Sequence, residues 1–138
     1  MKLKILHIIP NLHKGGAERL AITICKELQT RKNVEVRLIT FSNENEYSDS
    51  MGNIHWDVVP AKFIPSILGQ PEVQLDKLHS YIVDFEPNII HTHLWQAEII
   101  TRQIDYNKAT WVTHFHDNIP QLKKIMLPIS KAEIANIY

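Results

Sequence analysis

Two histidine pairs and one glycine pair are the residues of this sequence whose types and spacing suit chemistry. His91-Thr92-His93 and His114-Phe115-His116 each set two imidazoles two residues apart, and Asp117 follows the second pair directly. Gly15-Gly16 stands just ahead of a segment with helical apolar spacing. The composition makes these groups conspicuous, with eight His against only four Gly. On a strand, alternate side chains share a face, so each pair presents both rings to one side. An imidazole titrates near neutral pH, and at a cleft rim it can hydrogen-bond a hydroxyl or move a proton. Four imidazoles with a carboxylate also suit zinc or iron. Paired glycines let a backbone approach a ligand closely, and the helix start behind them offers N–H groups to a phosphate. Each group has a plainer use as well. A tight strand-to-helix turn also favours glycine, and a strand histidine is commonly a hydrogen-bonded part of the core or rim.

The elements that must position these groups follow from periodicity. Leu3 to Ile9 is a short apolar run stopped by Pro10, which predicts a buried strand. Asn11 to Gly16 reads as a loop. From Ala17 to about Arg31, Ala17, Leu20, Ala21, Ile24, Cys25 and Leu28 recur on one helical face, with Glu18, Arg19, Lys26 and Glu27 opposite. Val34 to Phe41 predicts a strand, Ser42 to Gly52 a polar loop, and Ile54 to Val59 a weak strand. Ala61 to Gln70, broken by Pro65 and Gly69, fits no single element. Pro71 suits a helix first turn, and Leu75, Leu78, Ile82 and Phe85 mark the apolar face of that helix up to Pro87. Strands are predicted over Asn88 to His93 and Thr110 to Phe115, with a helix from Leu94 to about Tyr106 between them. A turn over Pro120 to Lys124, a strand over Ile125 to Ile129 and a helix from Lys131 capped by Ser130 complete the chain. Strands alternating with helices imply right-handed crossovers and a parallel, doubly wound α/β sheet covered on both faces. In such a sheet ligands bind outside the carboxyl ends of the strands. The glycine pair and both histidine pairs fall at those ends.

At 138 residues and 16.0 kDa the chain makes one domain, with neither an internal repeat nor a linker. Fifteen Lys and Arg balance fifteen Asp and Glu, which disfavours a nucleic-acid partner or a polybasic membrane anchor. Cys25 is the single cysteine, so disulfide frameworks and multi-cysteine zinc modules are excluded, and its place on a helix suits a small buried residue. The amino-terminal apolar run is interrupted by His7 and stopped by Pro10, unlike a leader peptide. No stretch approaches the roughly 20 apolar residues of a membrane span. These features predict a cytoplasmic location. Trp56, Trp95 and Trp111 are expected in core or rim positions, with Trp95 the best placed to stack on a sugar. The G-x-G-x-x-G fingerprint and the P-loop are both absent, which disfavours a simple dinucleotide site or an NTPase.

Five motifs occur in order: Lys4-Ile-Leu-His-Ile-Ile-Pro10, Gly15-Gly-Ala-Glu-Arg19, Pro87-Asn-Ile-Ile-His-Thr-His93, Val112-Thr-His-Phe-His-Asp117 and Leu127-Pro-Ile-Ser130. Together they resemble the N-terminal domain of a family 4 glycosyltransferase, a retaining group with the two-domain GT-B architecture. The resemblance runs over nearly the whole chain and implies a Rossmann-like fold for residues 1–138. It implies that Gly15 and Gly16 lie beside the donor diphosphate and the acceptor, that His93 lines the acceptor side, and that His116 stands at the reaction centre as the catalytic candidate. Asn11 and Asp117, next to these groups in the loops, join them as candidate substrate contacts. The implied partners are a nucleotide-sugar donor, used as a co-substrate rather than a cofactor, and a sugar or lipid-linked acceptor. No metal is implied. The family's donor domain, with its Glu-x7-Glu motif, is not present. Glu27 and Glu35 have that spacing, but the first closes a helix and the second lies in a strand. The sequence is therefore expected to be the acceptor-side part of a longer enzyme, inactive alone.

Two readings compete with that one. A Rossmann-like module could bind a small phosphorylated ligand without chemistry. A metal-dependent hydrolase would use the H-x-H pairs, but barrel enzymes of that kind need about 250 residues.

Overall fold

The computed structural model describes residues 1–64 and 72–115. Its elements run β1 (Leu3–Ile9), α1 (Gly16–Gln29), β2 (Val34–Thr40), β3 (Trp56–Val58), β4 (Lys62–Ile64), β5 (Glu72–Gln74), α2 (Asp76–Phe85), β6 (Ile89–His93), α3 (Trp95–Thr101) and β7 (Thr110–His114). Five strands form one all-parallel sheet in the order β3-β2-β1-β6-β7, and β4 pairs with β5 as a separate antiparallel ribbon. This is the expected doubly wound architecture, a Rossmann-like α/β domain. Among the described residues no helix is long and apolar enough to cross a membrane.

The apolar run of β1 makes it the central strand, with Ile5, Leu6, Ile8 and Ile9 all buried. Alternation divides the core into two. Leu6 and Ile8 join Ile39, Leu78, Ile82, Phe85, Ile90, Ala97 and Ile100, contributed by β2, α2, β6 and α3. Ile5 and Ile9 join Val36, Leu38 and the α1 stripe of Ala17, Ala21, Ile22 and Cys25 on the opposite face. Burial pushes the Cys25 thiol up to about 12, so it behaves as an apolar filler. Helix α2 ends at Glu86, in the left-handed region at φ 52°, directly before Pro87. Lys4 Nζ donates to the Phe85 carbonyl at 3.1 Å, tying that helix end to β1.

Several boundaries differ from the sequence reading. Helix α1 stops at Gln29, where Thr30 turns back on the Glu27 carbonyl. The weak strand shortens to β3, and the polar loop contains a 3-10 turn over Ser48–Ser50. Part of the segment that fitted no element forms β4. Helix α2 begins at Asp76, after β5, so Pro71 does not open it. Helix α3 ends at Thr101 rather than near Tyr106, since Thr101 Oγ1 bonds back to the Ala97 carbonyl and turns follow. The elements expected over 120–138 lie outside the described residues, as do His116 and Asp117.

Candidate functional site at the carboxyl edge of the sheet

Because all five strands are parallel, the carboxyl ends of β1, β6 and β7 lie on one edge of the sheet. The strand order reverses at β1, whose neighbours are β2 on one side and β6 on the other. The glycine loop leaves β1 and α3 leaves β6, on either side of the crevice that this reversal creates.

The glycine loop is built from its contacts with residues 42–47. Leu12 N–H donates to the Glu44 carbonyl and Glu46 N–H to that of Leu12, at 3.0 and 2.9 Å. The Lys14 amide donates to Glu46 Oε2 at 2.7 Å, which holds the Glu46 carboxyl below its usual range. His13 lies 3.0 Å from Glu44 and 3.4 Å from Glu46. Tyr47 Oη accepts from the Gly15 N–H and donates to the Gly15 carbonyl, each at 3.0 Å. Asn11 Oδ1 accepts from the His13 amide in an Asx-type turn, so part of Asn11's polarity is used in shaping the loop. None of these partners was singled out from the sequence. A polar, aperiodic stretch gives no sign of which loop it will clamp.

The two glycines have different surroundings. A Cβ on Gly15 would run into the carboxylate of Glu18. Glu18 was expected on the exposed face of the helix, yet it is buried. Its side chain folds back over the start of α1, where a negative charge faces the positive dipole end. The Gly15 N–H is engaged by Tyr47, so the anion-binding capacity of this loop lies beyond Gly15. Gly16, the exposed first residue of α1, has nothing within 4 Å of a Cβ, and its backbone is not left-handed. The fold imposes no glycine there.

The histidines sit beneath this edge. His7 pairs in register with His91 across β1 and β6, and His93 with His114 across β6 and β7. All share the α1 face of the sheet, and the rings form a stack. The His91–His93 centroids are 4.1 Å apart, those of His7 and His91 4.8 Å, and those of His93 and His114 5.9 Å. His7 Nδ1 lies 3.0 Å from His93 Nε2. His93 was placed on the acceptor side, but it is fully buried against His7, while His91 is half-buried. His7 had been noted only as an interruption of an apolar run. It completes the group because odd positions of β1 point to the α1 face. Burial and its neighbour His91 lower the His7 pKa to about 3, and burial with His114 lowers that of His91 to about 4. Both rings are neutral at pH 7.

Next to His93, Leu94 holds φ 71° and ψ 154°, a conformation that is nearly glycine-only. Its N–H donates to the His114 carbonyl at 3.1 Å, and Trp95 begins α3, partly exposed at the same edge. Strain of this kind concentrates at ligand-handling edges.

A family model described as Glycosyltransferase Family 4 matches residues 14–135, most of the chain and all of the edge from the glycine pair onward. The chain belongs to glycosyltransferase family 4. No individual curated protein matches it. The glycine pair, the strained Leu94 and the switch-point crevice lie at the sheet edge where doubly wound folds in general hold their ligands.

Proposed function

We propose that this domain is the acceptor-side half of a glycosyltransferase that moves a hexose from a nucleotide-sugar to an acceptor hydroxyl with retention. It works opposite a donor-binding domain and builds a cell-surface glycan or glycolipid in the cytoplasm. In that reaction the bond from the sugar C1 to the diphosphate breaks while the acceptor oxygen bonds C1 on the same face. The leaving diphosphate carries the developing negative charge, and the acceptor hydroxyl gives up its proton. No metal is required.

The observation that carries this reading is Gly16. It sits at the carboxyl edge of the central strand and opens a helix, with no Cβ neighbour and no left-handed backbone to require a glycine. A residue that the fold leaves free to be larger, kept at its smallest, suits a backbone that a ligand must approach. Asn11, Gly15 and Gly16 then line the crevice, and His116 and Asp117 complete it in this proposal. His93 acts beneath the surface and positions the edge.

The test uses the enzyme with its donor domain, assayed for nucleoside diphosphate release from a panel of UDP-, GDP- and ADP-sugars with sugar and lipid-linked acceptors. His116→Ala is expected to lower turnover at least tenfold with an unchanged circular dichroism spectrum. Near-normal turnover would remove His116 from the site, and no release from any donor would reject the transferase reading.

A further inference from the structure

The buried histidines have a property that the transferase reading does not use. His7, His91 and His93 each offer a ring nitrogen, and these three atoms lie within 4.8 Å of one another. Two of the rings have a nitrogen left over. His7 Nε2 and His91 Nε2 are both buried without a hydrogen-bond partner, and His7 is 1% exposed. A buried polar atom with no partner is uncommon in a native fold, and an ion is one of its ordinary explanations.

We propose that His7, His91 and His93 form a binding site for a zinc-class divalent cation. The chemistry of the donors selects the ion. Imidazole nitrogen suits zinc, cobalt, nickel and copper, whereas magnesium and calcium take oxygen donors, and no carboxylate belongs to this trio. The geometry is close to what such an ion needs. With zinc–nitrogen bonds of about 2.0–2.1 Å, tetrahedral ligand atoms stand roughly 3.4 Å apart. One ring nitrogen from each residue lies within 4.8 Å of the other two, so the rings must draw together to close on an ion. The scaffold is rigid, since one ligand comes from the central strand and two from its hydrogen-bonded neighbour at a fixed register. Burial keeps the His7 and His91 rings neutral, the state that a metal requires. The half-buried His91 provides the approach, and His114 borders the trio, its ring 6.0 Å from that of His91.

This set differs from the H-x-H pairs read from the sequence, because His7 belongs to it and His116 and Asp117 do not. The ion ties β1 to β6 and takes no part in sugar transfer, so neither proposal depends on the other.

The test is a titration of the chelator-stripped chain with Co(II), read by visible absorption. One equivalent giving the strong bands of a four-coordinate site, displaced by Zn(II), supports the site. In His91→Ala the affinity should fall at least tenfold, with the fold checked by circular dichroism, while His13→Ala, His55→Ala and His79→Ala leave it unchanged. Should His91→Ala fail to fold, X-ray absorption of the zinc-loaded wild-type chain decides, with three imidazoles around the metal expected. Absence of stoichiometric binding, unchanged affinity in a folded His91→Ala, or a shell with fewer than two imidazoles overturns the proposal.

Discussion

Tyr47 closes on Gly15 through both main-chain polar groups of that residue, its hydroxyl accepting from the N–H and donating to the carbonyl at 3.0 Å each. The contact spans 32 residues and fixes the glycine loop from the side of β2. Replacing Tyr47 with Phe removes both bonds and keeps the ring among the apolar residues it packs against. A net loss of about 1 kcal/mol is expected from such partly exposed hydrogen bonds. Hydrogen exchange should quicken at Gly15 to Glu18 while β1 and β6 stay protected. Unchanged exchange in the loop would show that the main-chain pairing of Leu12 with residues 44 and 46 suffices.

Gly16→Ala separates fold from function at one position. Alanine is a better helix former than glycine by about 0.8–1.0 kcal/mol, and its methyl meets nothing here. The melting temperature should therefore rise. If a ligand approaches this backbone, the same substitution lowers kcat/KM of the proposed transferase several-fold. A variant that is both more stable and fully active would leave the glycine without a use in binding.

How much of this was legible beforehand depends on the range of the interaction. The apolar run of β1, the periodic face of α1 and the strands ending in His93 and His114 are local patterns, and each is present with shifts of a residue or two at its ends. The hairpin of β4 and β5 was not legible, because Pro65 and Gly69 mask any period between two three-residue strands. Nor was the burial of Glu18, which depends on a side chain folding over its own helix start. The partnership of His7 with His91 and His93 needs the strand order as well as the alternation. That order is a property of the whole sheet. Once β1 is known to neighbour β6 with His7 opposite His91, the shared face follows from alternation.

Glu98 is fully buried, accepts from Thr92 Oγ1 and pairs with Arg102 Nε, while the Arg102 guanidinium lies 4.6 Å over the Trp111 ring. One cation thus supports a buried carboxylate and covers an aromatic ring. Removing Arg102 leaves the buried carboxylate without its cation, at a cost of about 1 kcal/mol, well below that of a fully buried pair because Arg102 itself reaches solvent. Arg102→Ala is expected to lose stability on that scale in urea melts. Glu98→Gln, which keeps the shape and the hydrogen bond to Thr92, should lose clearly less. Equal losses would mean that the ion pair, which both variants remove, dominates, and that packing on Trp111, which only Arg102→Ala removes, contributes little.

Acid should unfold this domain earlier than its carboxylates alone would dictate. His7 has a folded pKa near 3 and His91 near 4, against 6.5 for an unfolded histidine. Below pH 6.5 the unfolded chain therefore binds protons that the folded chain refuses. Each such group makes a contribution that is fully present above pH 6.5 and is lost as the pH falls toward its folded value. Among the described residues the rings against His7 are those of His91 and His93, which His114 borders in turn, all of the same potential charge, and α1 packs the Cys25 thiol on that face. Protonating one ring thus makes protonating the next harder. In chelator-treated protein the melting temperature should fall steeply between pH 6.5 and 5, above the range where carboxylates titrate. His91→Ala should flatten that part of the curve, because it deletes one refused proton and relieves His7. A melting temperature that stays level down to pH 5 would mean that water reaches the stack and hydrates a charged ring.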